Sequence, residues 1–124
     1  MKIGVNARFL AFPHTGIGQY TKWLFLTLAE QNPNTQFYLV THKPVQIKTP
    51  RNLEIHTLKE KFPGAAGMRK TFWEQYQVPL FLRRIKVDVM HFPYPCNPWR
   101  KIKIPAVVTV HDAIPWTLKE YRQK

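Results

Sequence analysis

The sequence predicts an α/β fold: a Rossmann-like, mostly parallel sheet with helices on both faces. Two observations carry the prediction. Short apolar runs alternate along the chain with longer stretches of three- and four-residue apolar spacing, the order expected of parallel strands joined by right-handed crossovers. A glycine pair, Gly16 and Gly18, separates the first run from the first helical stretch. Such a pair lets a phosphate or a sugar approach the backbone, or makes a tight turn.

Ile3, Gly4 and Val5 read as a buried strand. From 17 to about 29, Ile17, Tyr20, Leu24 and Leu28, with Trp23 and Phe25 beside them, recur as on an amphipathic helix. Pro33, between Asn32 and Asn34, stops that helix. Residues 37–40 read as a second strand, 42–52 (with Pro44 and Pro50) as a connection, and 53–56 as a third, edge-type strand. A loop at 62–67 precedes a second helix over 68–85, which Pro79 should break or kink. Strands at 87–91 and 106–110 flank a proline-rich segment, and a last helix begins near Pro115 or Trp116. A doubly wound sheet usually carries more strands, so a truncated domain is expected.

The chain has 124 residues, of which 44% are apolar, with eight Phe, five Tyr and four Trp. That suffices for one folded domain with a core and excludes a disordered chain. No apolar run approaches membrane-spanning length and no signal-peptide pattern opens the sequence, so a cytoplasmic location is expected. The single cysteine, Cys96, excludes an internal disulfide. Nineteen Lys and Arg against seven Asp and Glu give a net charge of +12, spread along the chain as a basic face, which favours anionic partners.

The glycine pair is not a dinucleotide fingerprint. Thr21 stands where the third glycine belongs, and no acidic residue ends the second strand. No Gly-Lys-Ser or Gly-Lys-Thr makes a P-loop. What remains is a phosphate or sugar site at a helix start, or a turn capped by Thr15 or the glycines. His111 and Asp112 follow the fifth strand and His91 ends the fourth, all at the carboxyl edge where open α/β sheets bind ligands. His111 suits a hydroxyl contact; Asp112 either orients it or caps the next segment. His14, in the glycine loop, is a ligand contact or a bystander. Tyr94 stacks on a ligand or packs, and Phe92 packs. No His-x-x-x-His pair occurs and no histidine has metal-ligand spacing with Cys96, so no metal is expected. The chain contains no serine and only two aspartates, which argues against hydrolase chemistry.

Taken together, Met1 to Arg8, Thr15 to Thr21, Phe72 to Gln75 with Val78 and Pro79, Val87 to Tyr94, and Val107 to Pro115 resemble, in order and spacing, the N-terminal half of the GT-B fold glycosyltransferases of family 4 (group 1). The resemblance implies metal-free, retaining transfer of a sugar from a nucleotide-diphosphate sugar, the co-substrate, with no other cofactor. It makes residues 1–124 the acceptor-side domain and leaves most donor contacts to a C-terminal domain absent here, so the chain alone is expected to be inactive. Gly16 and Gly18 match the glycine loop near the donor phosphates. His111 matches the histidine near the transferred sugar and is the catalytic candidate, and Asp112 joins Gly16 and Gly18 as a candidate for binding the donor phosphate or sugar. His14, His91 and Tyr94 are acceptor-side candidates. Mannose, and a polysaccharide or lipid-linked acceptor, are expectations from family frequency. Contact with an anionic membrane through Arg69, Lys70, Arg83, Arg84 and Lys86 would place the protein at the inner membrane face. Two rivals draw on less: a basic nucleic-acid-binding module, supported only by net charge, and a stand-alone sugar- or nucleotide-binding domain.

Overall fold

A computed structural model describes residues 1–96 and 98–121; of the basic residues near the end of the sequence, Arg122 and Lys124 lie outside the described residues. The α/β prediction holds. The elements are β1 (Lys2–Asn6), a 3₁₀ turn (Arg8–Ala11), α1 (Gly16–Gln31), β2 (Gln36–Thr41), β3 (Leu53–Thr57), α2 (Ala66–Phe72), a π turn (Trp73–Gln77), α3 (Val78–Arg84), β4 (Val89–Phe92), β5 (Ala106–Val108), α4 (Ile114–Thr117) and a second 3₁₀ turn (Lys119–Tyr121). All strand pairs are parallel, in the order β3-β2-β1-β4-β5. Val5 pairs with Leu39 on one side and His91 on the other. The strand order reverses between β1 and β4, so a crevice opens at their carboxyl ends.

Alternation along the strands divides the core in two. Val5, Phe37, Leu39 and Leu53 pack with Leu10, Phe25 and Ala29 on the α1 side. Val40, Met90 and Phe92 pack with Trp73, Val78 and Leu82 on the α3 side, where Trp73 is fully buried. Gly4 faces Leu82 so closely that an added Cβ would lie 2.5 Å from Leu82 Cδ2; its missing side chain lets α3 seat on β1.

Pro79 does not break the second helix. Helical backbone runs from Ala66 to Arg84, with a wider turn at Trp73–Gln77 in which the Val78 amide reaches back to the Trp73 carbonyl. Proline has no amide proton to give, and the wider turn lets it fall in the first turn of α3, a position it tolerates. The fourth strand is shifted from 87–91 to Val89–Phe92. The fifth, at a sheet edge, shortens from 106–110 to Ala106–Val108 and carries exposed side chains, Val107 among them. The third strand lies at the opposite edge, as expected. No helix among the described residues is long and apolar enough to cross a membrane.

The α1–β2 connection depends on a residue with no sequence signature. Asn52 is buried, and its side-chain amide donates to the carbonyls of Ala29, Asn32 and Thr35 at 2.9, 3.0 and 2.9 Å. It holds the end of α1, whose last carbonyls would otherwise lack donors. Asn52→Ala should cost about 2 kcal/mol, chiefly because it leaves the buried Ala29 carbonyl unmet; denaturant unfolding measures this, and an unchanged midpoint would show that water replaces the amide.

Candidate functional site

The site builds from the turn after β1. Thr15 caps α1: its side-chain oxygen accepts from the Gly18 amide at 3.0 Å, while its hydroxyl donates to the Phe12 carbonyl at 2.8 Å. Gly18 is therefore needed for close packing. A Cβ there would stand 2.6 Å from the carbonyl oxygens of both Phe9 and Phe12 and 2.9 Å from Thr15 Oγ1. Gly16 faces open space. The amides of Gly16 and Ile17 precede the first intrahelical donor, Gln19, and among the described residues they find no acceptor. The pair thus divides: Gly18 closes the turn, and Gly16 leaves the helix start open.

Tyr20 lies one helical turn beyond Gly16, on the same face of α1. Its ring meets His111 edge-on at 4.8 Å, and its hydroxyl is 3.3 Å from Thr109 Oγ1. Thr109 Oγ1 is also 2.8 Å from His91 Nε2. His111 Nε2 donates to the Pro93 carbonyl at 2.6 Å, which fixes the proton on that nitrogen and turns Nδ1 into the acceptor of the neutral ring. The start of α1 and the ends of β4 and β5 are thereby drawn together across the switch point.

The other predicted positions fall differently. Asp112 Oδ1 accepts from the Ile114 amide at 3.0 Å, a local turn bond just before α4, whose N-cap position is Ala113. His14 is exposed in the loop before Thr15. His91 is half-buried against Phe25, and burial lowers its pKa. Tyr94 is only 6% exposed and packs edge-on against Phe9, so it lies behind the site wall and offers no face for stacking.

The Tyr94 hydroxyl accepts from Asn6 Nδ2 at 2.9 Å and donates to Glu74 Oε1 in a short hydrogen bond. Glu74, itself buried, also accepts from Cys96 Sγ at 3.2 Å. Burial, then the negative charge of Glu74, raises the Tyr94 pKa and pushes the Cys96 thiol up to about 12. The thiol is therefore protonated and is no nucleophile. This network ties β1, the π turn and the segment after β4 into one floor beneath the crevice. Glu74 has a visible signal in the sequence, as a lone carboxylate amid Phe72, Trp73, Tyr76 and Val78.

A second polar cluster lies after β1, β2 and β3. Arg8 Nη1 is 2.6 Å from Glu60 Oε1, Arg69 Nε is 3.5 Å from Glu60 Oε2, and the Arg8 guanidinium lies 5.4 Å from the centre of the Trp73 ring. His42 stacks on Phe12 and is only 7% exposed, with no hydrogen bond to Nδ1. Lys70 Nζ lies 5.9 Å from the ring centres of both Phe9 and Tyr94. Arg69 and Lys70 thus belong to the carboxyl edge, separate from the exposed Arg83, Arg84 and Lys86 at the end of α3. Among the described residues no three His, Cys, Asp or Glu side chains gather as a metal site.

No protein-family model matches the chain, and no curated protein or solved structure matches it.

Proposed function

We propose that this chain is the acceptor-side part of a retaining glycosyltransferase of the GT-B type, using a nucleotide-diphosphate sugar without a metal. The observation that carries the reading is the meeting of the open helix start at Gly16 with His111, through Tyr20, at the sheet's switch point. The resemblance of the sequence supplies the reaction class, and this geometry supports it.

The division of labour follows from the groups present. As the bond between the sugar carbon and the diphosphate breaks, negative charge grows on the leaving phosphate. The Gly16 and Ile17 amides, at the positive end of a 16-residue helix, are aimed where that charge can be met without a cation. His111, held by the Pro93 carbonyl and the Tyr20 ring, presents Nδ1 to accept from a sugar hydroxyl and orient it. Lys70, over Phe9 and Tyr94, adds positive charge at the carboxyl edge, which suits a polysaccharide or lipid-linked acceptor carrying phosphate or carboxylate.

In a chain that carries both halves of the proposed enzyme, His111→Ala should lower kcat/KM for sugar transfer by about a hundredfold, with Tm little changed because the residue is exposed. Wild-type turnover in that variant would refute the role. Transfer should persist in excess chelator; its loss would refute the metal-free mechanism.

A further inference from the structure

A groove of about 280 Å³ lies between α3 and the segment leading into β5, on the flank of the α3 layer and away from the crevice. Four cations line it: Arg83, Arg100, Lys101 and Lys103. No carboxylate does, and among the described residues none of the four makes an ion pair. The rest of the lining is largely apolar, with Leu80, Pro79, Ile102 and Ile104, the two isoleucines anchored against the core.

The groove is built, and the loop is not simply draped over it. Gln75 Oε1 accepts from the Trp99 amide at 2.7 Å, fixing the segment to the π turn, and the Arg100 guanidinium lies 5.9 Å from the centre of the Tyr76 ring. Leu80 is 59% exposed and Trp99 77% exposed. Gathering four uncompensated cations around an apolar cleft is unfavourable for the free protein, because like charges repel and apolar surface stays wet. A ligand that removes both costs carries an anionic head and an apolar body.

We infer that this groove binds a single phosphate-bearing amphiphile, its head between Arg83, Arg100, Lys101 and Lys103 and the start of its chain along Leu80, Ile102 and Ile104. The volume is just below that of sites for drug-sized ligands, so the groove takes a head and the first part of a chain. The one aromatic ring in the lining, Tyr76, is stacked on Phe72 and lies under the Arg100 guanidinium, so the aliphatic side chains along the cleft favour an acyl or prenyl chain over a nucleobase, which would need a free stacking surface. The site is independent of the transfer reading: it shares no residue with the crevice, and its occupation requires no sugar donor.

The test titrates the full chain with short-chain phosphatidic acid below its micelle concentration, following tryptophan fluorescence, with Trp99→Phe as a check on which indole reports. Binding should saturate. The double variant R100E/K103E should weaken it by about tenfold or more, since hydrogen bonds to charged groups are lost and repulsion replaces them, and L80D should weaken it through the chain contact. Both changes are at exposed positions, so their unfolding midpoints should stay near that of the wild type. Short-chain phosphatidylcholine should bind far less tightly, and inorganic phosphate should compete only weakly. Equal affinity for inorganic phosphate, equal affinity of R100E/K103E, or binding only to phosphatidic acid vesicles would each overturn the assignment.

Discussion

Gly18→Ala is expected to destabilise the fold by about 3 kcal/mol, whereas Gly16→Ala, in the same glycine pair, should be near neutral. The difference lies in what a methyl group would meet. At Gly18 it would press on two backbone carbonyls, those of Phe9 and Phe12, each 2.6 Å away. Neither can retreat easily: the turn is pinned by Leu10 to Ala7, Phe12 to Phe9 and Thr15 to Phe12 amide–carbonyl bonds. At Gly16 the methyl enters open space, and alanine is the better helix residue. Thermal unfolding of the two variants decides the matter. A loss of about 10 °C for Gly18→Ala, with Gly16→Ala close to wild type, is the expected pattern. Equal midpoints would mean that the turn is not packed as described. Donor affinity gives the complementary readout, since Gly16→Val should obstruct the approach to the helix start while leaving the fold intact.

Acid should destabilise the protein through His42. Burial, reinforced by the Arg8 guanidinium and opposed by Glu60, lowers its pKa from 6.5 to about 4, with Lys43 adding a smaller push downward. The unfolded chain therefore binds a proton that the folded chain refuses between about pH 6.5 and pH 4. Stability is complete above pH 6.5, falls as pH drops through this window, and levels off below it. The loss amounts to about 3 kcal/mol. His91, also lowered by burial, slopes the same way. Urea unfolding from pH 7 to pH 4 in wild type and His42→Phe isolates the His42 share. The variant should lose most of the slope while keeping the stack on Phe12; identical slopes would show that His42 titrates as in the unfolded chain.

The sheet was legible because parallel strands and amphipathic helices write their periods directly into apolar spacing. Val5, Phe37, Leu39 and Phe25 could be placed from pattern alone. The π turn was not legible, since Pro79 signals only that a normal helical bond is missing, and the packing of Trp73 decides how the chain repairs it. The site divides similarly. Gly16, His91 and His111 stand where strand ends meet in any such sheet, so topology alone brings them close. The contact of Tyr94 with the Glu74 carboxylate is set by tertiary packing, whereas Gly18 against two carbonyls and Asp112 against the Ile114 amide are local, fixed by the path of the turns they sit in. Nor does spacing reveal that Arg8, after β1, meets Glu60, after β3.

The most direct test of the crevice is an NMR titration of the folded chain, with amide and histidine ring signals assigned, using a nucleotide-diphosphate sugar. The expected result is that the amides of Gly16 and Ile17 and the ring of His111 shift together along one binding curve, while Arg83, Arg100 and Lys103 stay unchanged. Shifts confined to the α3 groove, or a binding curve that leaves Gly16, Ile17 and His111 unmoved, would contradict a donor site at the helix start.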